Sequence, residues 1–156
     1  MLTKSQQLLY TIIKENKGVE SKTKLAKLQY FADFIHYAFY NTPISSTGTI
    51  YTKQKQGPLA NTLSEDLDVL VKEALIMEKP NYNYINNGLE NKVNLTKEEL
   101  KTIKYVVSMY GKLPFNQLVD ISHKQVPYLS SDESGIVEFF TAYNLIEDYK
   151  DYEQFV

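Results

Sequence analysis

The sequence predicts an α+β fold that is mostly helical, with about six helices around one central apolar helix and a small antiparallel sheet or hairpin. The first observation is the stretch Lys22–Tyr40, which lacks Gly and Pro and is apolar around most of its circumference. The second is residues 49–55, which are rich in β-branched and aromatic residues. The third is Asn87-Gly88, a favoured hairpin turn. The 156 residues are expected to form a single domain, residues 1–156.

Two helices are predicted at the start of the chain. The first covers residues 3–17, with apolar side chains at helical spacing and Thr3 as its N-cap. Ser21 caps the second, Lys22–Tyr40, which should end near Asn41 because a proline follows closely. The second helix has one narrow polar stripe, formed by Gln29, Asp33, His36 and Tyr40. A helix with so little polar surface is expected to be buried, with neighbours on several sides.

An extended segment follows the central helix. Residues 49–55 are predicted to form a strand in which Tyr51 and Lys53 share one face, because side chains alternate along a strand. Gln56-Gly57-Pro58 is expected to end this strand in a sharp turn.

A helix and a hairpin are predicted next. Residues 61–75 have leucines at helical spacing and acidic residues near the beginning, where the helix dipole favours them. The hairpin should have Asn87-Gly88 as its turn and residues 82–85 and 89–93 as its strands.

Three further helices complete the prediction. Thr96 and Glu99 form a capping box at the start of the fourth, and Pro114 opens a short fifth. The sixth begins at Ser131 or the residue after it, and its predicted core face consists of Ile136, Phe139, Phe140 and Tyr143. The acidic tail, residues 147–156, is expected to be frayed.

Composition narrows the function. The net charge is −2, and all 17 basic residues are lysines, which disfavours dedicated DNA binding because arginine supplies the bidentate contacts. There are no cysteines, so disulfide and thiolate chemistry is impossible. The start of the chain has no signal-peptide pattern, and no apolar run is long enough to span a membrane. We therefore expect a soluble cytoplasmic protein without a cofactor.

Asp33, His36 and His123 are the only candidates for a catalytic or metal site. Asp33 and His36 are three residues apart on one helix, so they could act as a base and its orienting group. The favoured interpretation is a structural hydrogen bond on the one polar face of a buried helix. No zinc-binding spacing, phosphate loop or nucleophile elbow is present, so an enzyme or a metal protein is the least favoured hypothesis.

A winged-helix DNA-binding regulator is the second hypothesis. The helix–hairpin–helix order of residues 61–110 would make Asn87-Gly88 the tip of the wing. The first of these helices, however, is acidic, with Glu65, Asp66 and Asp68, and would repel phosphate.

The 13 tyrosines favour an interaction surface. They also suit strands and cores, and a chain rich in Lys, Asn, Ile and Tyr is what an AT-rich genome encodes. Together with the polar stripe, the strands provide the candidate partner contacts: Gln29, Asp33, His36, Tyr51, Lys53, Tyr82 and Tyr84.

Three segments occur in an order that is typical of one family. They are residues 27–32 (KLQYFA), residues 51–58 with their final Gly-Pro, and residues 118–128 with Ser-His followed by Pro-Tyr. Together they resemble the Panacea domain of SocA-like antitoxins, which belong to type II toxin–antitoxin systems. Tyr128 stands where the family usually has Trp.

The resemblance implies a small bacterial or phage protein that neutralises a toxin, generally by direct binding. In SocA-like members the antitoxin instead delivers the toxin to a Clp-type protease. The residues that match the family motifs are expected to be mainly structural: Lys27, Tyr30, Phe31, Gly57, Pro58, His123 and Pro127. In particular, Gly57-Pro58 should fix a turn and His123 should hydrogen-bond to the central helix.

Overall fold

A computed structural model describes residues 1–45, 48–80, 83–88 and 93–155, and these form the predicted mostly helical α+β fold. The described residues contain six α-helices: α1 Lys4–Glu15, α2 Lys22–Tyr40, α3 Leu63–Lys72, α4 Lys97–Tyr110, α5 Phe115–His123 and α6 Val126–Leu129. Two 3-10 helices lie near the C-terminus, Phe139–Leu145 and Tyr152–Gln154.

The strands form two antiparallel sheets. In chain order they are β1 Tyr51–Gln54, β2 Gly57–Ala60, β3 Ile76–Lys79, β4 Asn83–Asn86 and β5 Ile136–Val137. One sheet has the order β2-β1-β5, and β3 and β4 form a separate hairpin. Both sheets are small, as the sequence predicts.

The helix α2 is central. It contacts α1, α4, α5, β2 and the first 3-10 helix, and Leu28, Phe31 and Ile35 on it are fully buried. The Ser21 hydroxyl accepts the N–H of Lys24 at 3.0 Å, as expected for an N-cap. Asn41 ends the helix in a left-handed conformation, with φ of 60°. The predicted position and bounds of this helix are confirmed.

The hairpin between α3 and α4 uses a different strand from the one predicted. β4 pairs with β3, so that Ile76 lies opposite Asn86. The sequence predicts a helix up to residue 75, directly before β3, but α3 ends at Lys72, and Ala74 reverses the chain with φ of 58°. Asn87-Gly88 therefore follows the hairpin instead of forming its turn. Residues 89–92, predicted as the other strand, lie outside the described residues.

The turn between β1 and β2 lies earlier in the chain than predicted. Residues 55 and 56 form the turn, whereas Gly57 and Pro58 are the first residues of β2. Pro58 lies opposite Lys53 on β1, while the hydrogen bonds join neighbouring positions such as Asn61 and Ile50. An edge strand can hold proline at such a position because no ladder N–H is required there.

The C-terminal region differs most from the prediction. Ile136 belongs to β5 and not to a sixth long helix, and it is 53% exposed; Phe140 is 61% exposed. The tail is not frayed, since Tyr149 and Tyr152 are buried. The rings of these tyrosines pack in the core, and their hydroxyls find hydrogen-bond partners, which offsets the cost of burying them.

Candidate functional site

The segments that match the family motifs meet beside α2. The amine of Lys27 on α2 donates to the carbonyl oxygen of Pro58 at 2.7 Å. The hydroxyl of Tyr30, one turn further along, donates to the side-chain oxygen of Gln125 at 2.7 Å. All three segments are thus joined through the central helix by buried hydrogen bonds, consistent with the structural role expected for them.

Gly57 is the point of closest approach between these segments. Its φ of +106° is unfavourable for residues with a side chain. A Cβ atom at this position would lie 2.8 Å from the hydroxyl oxygen of Ser122 and 3.0 Å from the amine of Lys27. Glycine is therefore required both by the backbone conformation and by the packing of α2 and α5 against β2.

Lys27 is a buried amine at this meeting point. The residue is 2% exposed, and burial lowers the pKa of its amine from 10.5 to about 7. Within the described part of the chain, ion pairs join Lys4 to Glu99 and Lys24 to Glu20, but none reaches Lys27. Among the described residues, the Pro58 carbonyl is the one group to which this amine donates a hydrogen bond.

Asp33 organises the other side of α2. Its Oδ1 atom accepts the backbone N–H groups of Ile44 and Ser45 at 2.9 and 2.8 Å. Its Oδ2 atom accepts the hydroxyls of Ser45 and Tyr51 at 2.6 and 2.7 Å. Burial raises the pKa of Asp33, and these hydrogen bonds act in the opposite direction. The carboxyl group thus ties the segment after α2, and the strand β1, back onto the helix.

His36 faces α4 and the tail. Its Nδ1 atom lies 2.8 Å from the hydroxyl of Thr102, which is 2.6 Å from the hydroxyl of Tyr152. The ring also packs on Tyr40, with the centroids 4.6 Å apart. Burial lowers the pKa of His36 to about 4, so the imidazole is neutral at pH 7.

We expect His36→Asn to reduce the loss of stability in acid. Because the folded pKa of about 4 lies below the ordinary 6.5, the unfolded state binds more protons between these values. The contribution of His36 to the free energy of unfolding is therefore fully present above pH 6.5. It falls by up to roughly 3 kcal/mol as the pH decreases towards 4. Urea unfolding at pH 7 and pH 4.5 measures this loss. His123→Asn is the matched control and should retain the wild-type loss; equal losses in both variants would contradict the assignment.

His123 does not contact α2 through a hydrogen bond, contrary to the prediction. Its ring stacks on Tyr128 with the centroids 4.3 Å apart, and its Nε2 atom has no partner in the described structure. Tyr128 in turn lies under the Lys53 amine, which is 4.5 Å from the ring centre, and donates to the carbonyl of Gln54. Tyr128, the last residue of the third motif, therefore contacts β1 in two ways: its ring packs under Lys53, and its hydroxyl bonds to Gln54.

The three residues considered for catalysis or metal binding face different parts of the fold. Asp33 bonds to the segment after α2 and to β1, His36 to α4 and the tail, and His123 stacks on α6. In the described ranges, no group of three or more His, Asp or Glu side chains could hold a metal ion. This arrangement does not support the enzyme or metal hypothesis.

Most of the predicted partner contacts lie inside the fold. Five of them are at most 3% exposed: Gln29, Asp33, His36, Tyr51 and Tyr84. Lys53 is half-buried against Tyr128, and Tyr82 lies outside the described residues. Gln29, Asp33 and His36 of the polar stripe are thus enclosed by other parts of this chain, and Tyr40 is half-buried.

Several residues of these networks were not identified from the sequence. Ser45, Thr102, Gln125 and Tyr149 each contribute a polar group to a buried contact. Thr102 has a local signal, since it is a polar residue next to the apolar face of α4. The others lie in short or irregular segments, where no periodicity marks which side chains point inward.

The comparison with protein families matches residues 25–127 to the family described as antitoxin SocA-like, Panacea domain. The match covers most of the chain. It contains the first two motif segments and all of the third except its last residue, Tyr128. This chain therefore belongs to the SocA-like antitoxin family with a Panacea domain. Neither the curated proteins nor the solved structures contain a significant match. Among the described residues, no helix is both long and apolar enough to cross a membrane.

Proposed function

We propose that this chain is a cytoplasmic antitoxin that neutralises a partner toxin by binding it directly, with residues 1–156 acting as one unit. The observation that carries the proposal is the family match over residues 25–127. The burial of Asp33 and His36 supports a binding function over a catalytic one, because these groups are engaged in holding the fold together.

The outer face of the three-stranded sheet is the surface that best fits a protein partner. Thr52 lies opposite both Leu59 and Ile136, so the three side chains share one face. The adjacent row, which includes Tyr51, faces the core. Leu59 is 37% exposed and Ile136 is 53% exposed. Neighbouring apolar side chains on an exposed sheet face are typical of an interaction site.

Co-expression with the protein encoded by the adjacent gene tests the proposal. We expect the neighbour to be toxic alone and to form a complex that survives gel filtration. Ile136→Glu should weaken the complex by at least about tenfold, whereas Met109→Glu, on the exposed face of α4, should leave it unchanged. A harmless neighbour that forms no complex would contradict the proposal.

Delivery of the toxin to a Clp-type protease is a further possibility within the same proposal. It predicts that the toxin is degraded faster when this chain is present, and only in cells that contain the protease. A toxin level that does not change while growth is restored would favour occlusion alone.

Nucleic acid is the less favoured partner. α3 presents Glu65 and Asp68 to solvent, and this charge opposes the approach of phosphate. Asp66 does not add to the exposed charge as the sequence suggested, because it is buried beside Gln6. A mobility-shift experiment at low salt with the chain's own promoter DNA is expected to show no retention.

A further inference from the structure

An open pocket of about 520 Å³ lies between α2, the β1–β2 turn and the start of α3. The charged side chains that line it are all lysines: Lys22, Lys27 and Lys55. Much of the remaining wall is apolar and includes Leu59 and Leu63. The pocket is therefore both positively charged and suited to an apolar segment.

Two buried lysines on α2 differ in whether their amine has an acidic partner. Lys24 is 1% exposed, and its amine pairs with Glu20 at 2.6 Å and with the carbonyl of Gly111. Lys27 is 2% exposed, but its amine has only the Pro58 carbonyl among the described residues. An ammonium group carries three N–H donors, so Lys27 can still donate to an incoming acceptor. A buried amine without a counter-charge gains strongly from an anion beside it.

We propose that this pocket binds a carboxylate side chain of the partner protein, through the amines of Lys22, Lys27 and Lys55. The partner is the toxin of the proposed function, on which this identification rests. Gly57 leaves room for the amine of Lys27 at the floor of the pocket. Lys22 and Lys55 line the same pocket and add positive charge to it. The amine of Lys22 donates to the hydroxyl of Ser64 at 2.5 Å and has further N–H groups for an incoming acceptor.

A carboxylate on a protein fits the pocket better than a nucleic-acid phosphate does. The apolar walls would contact the methylene groups and the neighbours of an Asp or Glu side chain. The exposed Glu65 and Asp68 on α3 would repel a polyanion, whereas a single carboxylate is affected far less. Leu59 belongs both to the pocket and to the outer face of the sheet, so one partner could cover both.

The pocket is tested first with a peptide. The full chain is titrated with N-acetyl-Leu-Asp-Leu-amide while the NMR signal of the Lys27 Cε group reports the pKa of its amine. The bound carboxylate should raise this pKa by at least about one unit, as an opposite charge at contact distance does. The Asn analogue of the peptide is the control and should cause no shift. No shift with the Asp peptide, or an equal shift with inorganic phosphate, would overturn the assignment.

The second test uses the toxin complex. Lys22→Glu and Lys55→Glu should each weaken it by at least about tenfold, while Lys150→Glu, an exposed lysine outside the pocket lining, should change it less than about twofold. If the wild-type complex forms and the pocket variants bind equally well, the pocket assignment fails and the antitoxin function stands. If no wild-type complex forms, the proposed function fails, and the peptide titration still decides whether the pocket binds a carboxylate.

Discussion

Asp33→Ala is expected to destabilise the fold by roughly 3–5 kcal/mol, because it removes the acceptor of four buried hydrogen bonds. The donors are two backbone N–H groups and two hydroxyls, and burial leaves them without replacement partners from solvent. Domains of this size have a free energy of unfolding of only about 5–15 kcal/mol, so the Asp33→Ala variant should retain little of its stability. Urea unfolding followed by circular dichroism measures the effect.

Two further variants test whether the loss of stability comes from the hydrogen-bond acceptors of Asp33. Asp33→Asn keeps one oxygen for the N–H groups of Ile44 and Ser45, so a smaller loss of roughly 1–3 kcal/mol is expected. Asp68→Ala, on the exposed face of α3, should change stability by less than about 0.5 kcal/mol. If Asp33→Ala behaved like Asp68→Ala, the carboxyl group would not be holding β1 and the segment after α2 in place.

The helix starts could be predicted from the sequence because their causes are local. Thr3, Ser21 and Thr96 each accept a backbone N–H three residues later, and each was identified by residue type and position alone. The central position of α2 was predictable for a similar reason, since its apolar residues cover nearly the whole helix. Its contacts with α1 and α4 were also expected, whereas its contacts with α5 and β2 were shown only by the structure.

The C-terminal region could not be predicted because its structure depends on distant partners. Residues 136–143 have apolar spacing that fits a helix, but Val137 pairs with Tyr51, far away in the sequence. Ser134 reverses the chain before this strand with φ of 58°, a conformation that no residue pattern there indicated. The acidic tail is held by its tyrosine hydroxyls, whose partners lie on α4 and in the segment between α5 and α6.

The candidate site was identified in part. Lys27, Gly57 and Pro58 were all recognised as motif residues. Gly57-Pro58 was interpreted as a turn, however, and its buried contact with Lys27 on α2 was not predicted. The members of the polar stripe were also recognised, while the direction in which Asp33 and His36 point depends on Ser45 and Thr102. Hydrogen bonds between side chains so far apart in sequence leave no periodic signal.

Lys27→Met is expected to remove a rise in stability that the wild-type protein shows between pH 7 and pH 9.5. The amine titrates at about 7 in the folded protein and near 10.5 in the unfolded chain. Between these values the unfolded state binds more protons, so the free energy of unfolding rises with pH. The rise should reach roughly 3 kcal/mol at pH 9.5.

The range ends at pH 9.5 because the tyrosines act in the opposite direction above it. Burial raises the pKa of Tyr51 and of Tyr149, so the stability linked to them is present below pH 10 and is lost as the pH rises further. Lys150→Met is the matched control, since this lysine is exposed, and it should retain the wild-type slope.

At pH 7 the Lys27→Met protein should be the more stable one, by roughly 2 kcal/mol, because an apolar side chain of similar length avoids burying an unpaired amine. The lost hydrogen bond to Pro58 offsets part of this gain. If the toxin complex is weakened in the same variant, then a residue that costs stability in the free protein contributes to binding. A lysine that binds a carboxylate of the partner should give this result: its removal raises the stability of the free protein and weakens the complex. Removal of a purely structural lysine would lower both stability and binding.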